Sequence, residues 1–336
     1  MTRTCCLVVN PAAGGGRAER LLPVVSRMLN VAGIQHEVCR CTSLEHAREL
    51  AAAAIGRGQV AVAVGGDGLA GALAATVAGA DGVFGIIPAG RGNDFARTLG
   101  IPFTPGAAAR VIAAGQERPV DLIAVGRADF ATPAGAGPLA LATGEVVVAG
   151  SVYLGIPAVA AEIAAHSRVP PGELAYPAAA VRAVAGWRTA TFHLDLDGGP
   201  AGDLAAGPAA QQTMAEPAGA PAREFAGGAV VVANSRYFGA GMMVAPSADA
   251  SDGLLDVVYV QGSSKLAMIH ALTKIKKGTH VSMRPVGTAR ARQVTITVGR
   301  AMPGGADGEP LRCASPLAAG SPLRIRALPG VLRMIT

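Results

Sequence analysis

Short apolar runs recur through the first third of the chain, each closed by glycine, proline or asparagine and followed by a longer stretch with helical spacing. Residues 5–9 are apolar throughout and stop at Asn10-Pro11; after Gly14-Gly15-Gly16-Arg17 a helix is expected over about 18–32. Residues 34–41 alternate apolar and polar positions, as a half-covered strand does. A helix is expected next, with Thr42 or Ser43 as N-cap, Glu45 in its first turn and glycine at its end. Residues 60–64 form the most uniform run and lead straight into Gly65-Gly66-Asp67-Gly68, with an Ala-rich helix expected at 69–78. Residues 82–88 repeat the strand and enter a second glycine turn within 88–102. Continuous apolar strands alternating with helices specify a parallel sheet covered on both faces. Two glycine turns at like ends of neighbouring strands are expected to face one another across a cleft, where ligands of open α/β sheets bind.

Beyond residue 121 the pattern changes. Short β-rich runs at 189–196, 229–234, 254–260 and 293–298, separated by turns, predict an all-β unit. Residues 130–143 and 197–228 are rich in Gly, Pro and Ala without periodicity, and are expected as loops. The last sixteen or so residues again read as a strand. A length of 336 residues also exceeds what one core usually serves, so two domains are expected.

Composition narrows the setting. Hydrophobic residues make up 51%, but aromatics only 4%, so Ala and Gly carry the apolar content. The longest uncharged run, residues 146–161, contains Gly150, Gly155 and Pro157 and falls short of the roughly 20 residues a membrane helix needs. The opening residues lack the long apolar region and cleavage site of a signal peptide. Cys5, Cys6, Cys39, Cys41 and Cys313 contain no C-x-x-C pair and read as reduced thiols, which suits the cytoplasm. The six histidines show no metal-ligand spacing. A net charge of +6 fits an anionic partner; with basic residues scattered and aromatics scarce, a membrane surface or nucleotide phosphates rank above nucleic acid.

Read alone, each motif has an ordinary explanation. The first glycine turn lacks the Lys-Ser/Thr of a Walker loop and is as well read as a plain strand-to-helix turn. An aspartate in a turn is usually a cap or Asx-turn. "ADGE" at 306–309 is a good hairpin turn. Asp67, fixed on a glycine turn, is suited to orient Mg²⁺ or its waters.

Together the motifs resemble a family. Residues 8–16 (VVNPAAGGG), 65–68 (GGDG) and 88–97 (PAGRGNDFAR) resemble, in order and spacing, the nucleotide-site blocks of the diacylglycerol kinase catalytic family, which includes bacterial lipid kinases, sphingosine kinases and ceramide kinases. Residues 147–162, 230–260 and 305–311 (GADGEPL) resemble its second half, so the likeness covers nearly the whole chain. The resemblance implies an α/β nucleotide-binding domain with a parallel, NAD kinase-like sheet at 1–122, joined by the tail 325–336, and a β-rich, sandwich-like lipid domain at 123–324.

For the site, the resemblance implies that ATP is held by Asn10, Pro11, Gly14, Gly15, Gly16, Arg17, Thr42, Gly65, Gly66, Asp67, Gly68, Leu69, Gly90, Arg91 and Asn93. Asp67, Asp94 and Asp121 would converge on one cleft and organise Mg²⁺ and its waters. Asp307 and Glu309 would supply the base, both facing the nucleotide if their segment is extended. Asp252, with carbonyls of Asp249 and Leu254, matches a structural Mg²⁺ site of bacterial members, and oxygen ligation suits that ion. "KIKKG" at 274–278, with Arg284, Arg290 and Arg292, would lie against anionic headgroups, although a charge run is more often a solvated face.

The expected activity is phosphoryl transfer from ATP, with Mg²⁺, to a lipid alcohol at the inner membrane face, diacylglycerol first. A homodimer is compatible with the sequence and nucleic acid is not expected. Where the family commonly has Thr, Asn and Glu after GGDG, this chain has Leu69, Gly71 and Ala72, and Arg91 stands for a usual Thr. Those departures keep a second reading open, a weak or inactive lipid- or nucleotide-binding homologue. A soluble NAD kinase-like enzyme is the third.

Overall fold

The computed structural model describes residues 3–128, 139–166, 175–197, 223–311, 313–314 and 316–336. Of the two expected loops, 130–138 and 198–222 lie outside these residues; 223–228 belong to a strand instead.

The first half alternates strand and helix: β1 (Thr4–Val9), α1 (Arg17–Val31), β2 (Gln35–Arg40), α2 (Leu44–Gly56), β3 (Val60–Gly65), α3 (Asp67–Gly79), β4 (Val83–Pro88), the short α4 (Asp94–Thr98), α5 (Pro105–Ala114) and β5 (Glu117–Arg127). Strands β2, β1, β3 and β4 lie parallel in that order. All six residues of β3 are buried, as a central parallel strand requires, while β2 is the half-exposed edge. Helix α1 packs with α5 and α2 with α3. The α2 N-cap is Ser43, whose hydroxyl accepts the His46 N–H at 3.1 Å.

The second half comprises β6 (Val146–Val148), β7 (Ser151–Gly155), α6 (Ile156–Ala165), α7 (Ala175–Gly186), β8 (Ala190–Asp197), β9 (Arg223–Ala233), β10 (Tyr237–Phe238), β11 (Met242–Met243), β12 (Leu255–Gln261), α8 (Lys265–Ile275), a 3₁₀ turn (Thr279–Ser282), β13 (Val286–Ala291), β14 (Gln293–Val298), β15 (Gly304–Ala306), β16 (Glu309–Pro310) and β17 (Leu323–Ile335). Its strands pair antiparallel in the order β15-β7-β9-β8-β14-β17, with β12 also on β9 and β13 on β12. The all-β expectation is corrected: α6, α7 and α8 belong to this half. Helices α6 and α7 pack on each other, and Ala180, Ala183 and Val184 enter its core. Alanine-rich helices with few polar positions lack the contrast that reveals a 3.6-residue period.

Strand β17 joins the halves. Residues 323–326 run antiparallel to β14, whereas Arg333 and Met334 pair parallel with Val83 and Phe84 of β4. Strand β5 runs beside it, from Leu323↔Arg127 to Ile335↔Glu117, with a register break between Leu328 and Leu332. No helix among the described residues is long and apolar enough to cross a membrane.

Candidate functional site

The ends of β1, β3 and β4 meet in one glycine floor. Gly14, Gly15 and Gly16 all have positive φ, which L side chains rarely adopt. A Cβ on Gly14 would lie 2.4 Å from the Ala89 carbonyl oxygen, and one on Gly90 2.3 Å from Gly66 Cα. The expected cleft between the glycine turns is therefore corrected: they touch backbone to backbone. Gly65 and Gly90 are buried in the floor, whereas Gly15, Arg17, Thr42, Gly68 and Arg91 are exposed along it. Asn10 caps its own turn through a 3.1 Å bond from Ala12 N–H, beside the half-buried Pro11. Asn93 points at the floor rather than a ligand, accepting the Gly90 N–H and donating to the Gly90 carbonyl at 2.8 and 3.0 Å. Leu69 tucks its side chain into the first core, against Gly65.

Three carboxylates converge above this floor. Asp67 opens α3 and its Oδ1 accepts the Phe95 N–H at 3.1 Å, tying α3 to α4. Asp94 opens α4 and accepts N–H groups of Ala240 and Gly241 at 2.9 and 2.7 Å, reaching across to the second half. Asp307 comes from the other side: its Oδ2 accepts Ala149 N–H and its Oδ1 those of Gly150 and Ser151, at 2.8–2.9 Å. Burial, followed by the neighbouring Asp67 charge, pushes Asp94 up to about 6 despite its backbone donors and Arg97. Burial likewise raises Asp67 and Asp307, with backbone N–H bonds pulling back.

The expected extended geometry at 307–309 is corrected. Asp307 and Gly308 have φ of +47° and +91° and form the tight turn between β15 and β16, flanked by the pair Ala306↔Glu309. The two acids therefore part company: Asp307 is aimed inward and Glu309 is exposed.

Two clefts meet at Asp67 and Asp307. The first, about 310 Å³, adds Asp94, Gly92 and Ser235 to that pair and has an apolar wall of Ala161, Ala164 and Phe238. The second, about 240 Å³, holds Arg48, Gly68, Gly71, Ala72 and Glu309. Tyr176 and Phe238 line the first cleft and also an apolar cavity beyond it, between α6, α7 and α8.

Comparison with known proteins follows this division. Residues 4–125 match the family model of the diacylglycerol kinase catalytic domain, and 150–336 that of the YegS C-terminal NAD kinase beta sandwich-like domain. A diacylglycerol kinase of Mycobacterium tuberculosis is 31% identical, covering 98% of this chain and 93% of that protein. The chain belongs to the diacylglycerol kinase family. Members of this family are phosphotransferases with an alcohol group as acceptor, and kinase membership implies the use of ATP. A Bacillus subtilis diacylglycerol kinase is 25% identical over 90% of this chain and 88% of its own. A Bacillus anthracis crystal structure shares the fold, with a TM-score of 0.72 at 20% identity over 99% of this chain and 95% of that one.

Against the family blocks, two departures fall at the site. Gly71 and Ala72 line the second cleft, and a Cβ on Gly71 would lie 3.2 Å from Asp307 Oδ2. The other two lie off it: Leu69 is core and Arg91 is exposed.

Asp121 is corrected out of the cleft: it lines neither of the two. It sits in β5 at the junction of the halves, where its Oδ1 accepts Gly330 N–H at the β17 register break and its Oδ2 accepts Gly253 N–H, both at 2.7 Å. Its carbonyl accepts Asn234 Nδ2 at 2.7 Å. Asp249 and Asp252 are neighbours of Asp121 rather than of the cleft and help to raise its pKa, behind the larger effect of burial. Asp249 accepts the Ser251 N–H and hydroxyl, while Asp252 accepts Leu254 N–H and pairs with Arg290. A cation there would compete with that guanidinium. Arg290 is likewise committed to Asp252 and Asp256, so it is not part of a headgroup surface.

Sequence reasoning missed the residues that aim Asp307. The Asn234 and Ser235 N–H groups both donate to the Gly150 carbonyl, at 2.8 and 3.0 Å, fixing the turn that binds Asp307. Ser235 also bonds Thr98 of α4, hydroxyl to hydroxyl at 2.5 Å, across the halves. Tyr153 accepts Gly308 N–H through its hydroxyl oxygen at 3.1 Å. The available signal was a polar Asn-Ser pair ending the apolar run of β9.

Proposed function

We propose that the chain is an ATP- and Mg²⁺-dependent lipid kinase that transfers the γ-phosphoryl group to the hydroxyl of a lipid alcohol, diacylglycerol first, giving phosphatidic acid. The observation that carries this reading is the position of Asp307, a half-buried carboxylate bordering both clefts at once. The first cleft suits the lipid alcohol, because an apolar wall ends at the carboxylates. The second suits the nucleotide, because the N-terminus of α3 offers N–H groups to phosphate and the half-exposed Arg48, which phosphate would draw from its pairing with Glu45, offers a cation.

In this reading Asp307 accepts the proton of the lipid hydroxyl, and the oxygen forms its bond to γ-phosphorus as the bond to the ADP oxygen breaks. The turn at 149–151 holds Asp307 in place with one N–H on Oδ2 and two on Oδ1, leaving a lone pair of Oδ2 for that proton. Asp67 and Asp94 fit a hard divalent cation: they are adjacent oxygen ligands, and Asp94 is raised by burial and by Asp67's charge. Mg²⁺ held there would offset the negative charge of the phosphates. A lipid surface would meet the protein near Lys276, Lys277 and Arg284, with the protruding Leu266 on the same segment.

One observation favours a second reading. Gly71 and Ala72 give the second cleft no polar side chain where the family commonly has two, which suits a binding protein with little or no turnover. Transfer of labelled γ-phosphate from ATP with Mg²⁺ to micelles of diacylglycerol, ceramide or sphingosine, and to NAD, separates the readings. Labelled lipid that disappears with Asp307→Asn supports the kinase and names the acceptor. A folded protein that binds lipid and labels nothing supports the binder, and labelled NAD alone would overturn both.

A further inference from the structure

A third group of side chains lies at the far edge of the parallel sheet, away from both clefts. Among the described residues strand β2 is the outer strand and pairs only with β1, with Cys6 opposite Glu37 and Val8 opposite Cys39. Positions two apart on a strand share a face, so Cys6, Glu37 and Cys39 stand together while Cys5 points to the opposite face. The two thiol sulfurs and a Glu37 carboxylate oxygen all lie within 4.8 Å of one another. A tetrahedral zinc ion with Zn–S of about 2.3 Å and Zn–O of about 2.0–2.2 Å needs its ligand atoms roughly 3.5–3.8 Å apart, which this group reaches by small side-chain rotations.

We propose that Cys6, Glu37 and Cys39 bind a thiophilic divalent cation, Zn²⁺ in the first instance, with water as fourth ligand. Among the described residues this is the one group of three His, Cys, Asp or Glu side chains with metal-ligand spacing. Two sulfurs and one carboxylate select a borderline-soft ion over the hard Mg²⁺ of phosphoryl transfer. Cys6 is fully buried, Cys39 half-buried and Glu37 exposed, so the ion enters from the Glu37 side. Arg57, at the end of α2, pairs with Glu37 through Oε1, so the ion competes with this guanidinium for the carboxylate, while the positive charge offsets the excess of two thiolates and a carboxylate over the ion. Both strands would be held by one ion, fastening an exposed edge to the sheet. The site would act on stability, since none of its residues lines either cleft.

The test uses the reduced full chain, titrated with Zn²⁺ against a chromophoric chelator and with Co²⁺ as a spectroscopic probe. One zinc per chain is expected, with a thiolate-to-cobalt charge-transfer band and a raised Tm. Glu37→Gln and Cys39→Ser, at accessible positions that should fold, are each expected to weaken zinc binding at least about tenfold, a loss that supporting residues alone can cause. Cys5→Ser and Cys313→Ser should leave it unchanged. Zinc binding undiminished in Glu37→Gln and Cys39→Ser, no thiolate band, or no binding by the wild type would each overturn the proposal.

Discussion

Two groups of aspartates, alike in sequence, have opposite fates in the structure. Asp67, Asp94, Asp121 and Asp252 all stand at the end of an apolar run or in a glycine-rich turn, and all accept backbone N–H groups. Around Asp67, Asp94 and Asp307 the carboxylates also border open clefts, and burial raises all three. Asp121 accepts one N–H group on each oxygen, from Gly330 and Gly253, much as Asp94 does from Gly241 and Ala240, but it lines neither cleft, and Asp252 has Arg290. The lesson is that an aspartate's role lies in where its carboxylate faces, not in how many N–H groups it accepts. The first group faces open space that can take a cation or a substrate; the second faces the seam and holds two halves of the molecule together.

The sharpest test is to alter one member of each group without changing shape. Asp307→Asn should cost about 10²–10⁴-fold in kcat, the usual worth of a general base. At least one of its three N–H donors then faces an amide NH₂, at a cost of about 1–3 kcal/mol in stability. Asp121→Asn should cost about as much in stability, since one of its two N–H donors meets the same NH₂, while kcat in the surviving folded fraction stays within a few-fold. Equal losses of rate in the two variants would erase the distinction between the groups.

Titration offers a smaller effect of definite sign. Asp94 is raised from its ordinary 3.8 to about 6. Between those values the unfolded chain has released this proton while the folded chain still holds it. Its contribution to stability therefore falls as pH rises through that window and levels off above 6. Asp94→Asn should flatten that part of the stability-pH curve, measured by urea unfolding without divalent cations. A curve of unchanged slope would mean that Asp94 is not strained by its neighbour, and the cation-binding role would lose its physical motive.

Much of this was legible in the chain. Uniform apolar runs such as residues 60–64, short and closed by glycines, fit central strands, and the Gly-rich closures mark their ligand-facing ends, so the parallel half was readable almost element by element. The antiparallel half was readable as β-rich, but α6 and α7 were hidden because alanine carries no polar-apolar contrast. At the site, Asp67, Asp94 and Asp307 each stand in a motif the chain displays, and the structure puts all three on one cleft. Asp121 was misplaced because its partners, Gly253 and Gly330, are 132 and 209 residues away. The turn that aims Asp307 is equally remote, at 149–151, and neither pairing leaves a local trace.

The smallest expected effect concerns Glu309, one residue past the turn from Asp307. Its side chain is exposed and borders only the second cleft, whereas Asp307 borders both. If that cleft takes ATP, Glu309→Gln removes a negative charge near the phosphates. In water such a charge is worth about 1 kcal/mol at 4 Å, roughly a fivefold change. The sign follows from like-charge repulsion: KM for ATP should fall by up to about fivefold while kcat changes little. Raising ionic strength should shrink the difference between variant and wild type, because an exposed charge is screened within about 10 Å at 0.1 M salt. A loss of kcat matching that of Asp307→Asn would instead make Glu309 the base, and the turn that separates the two side chains would have to open during turnover.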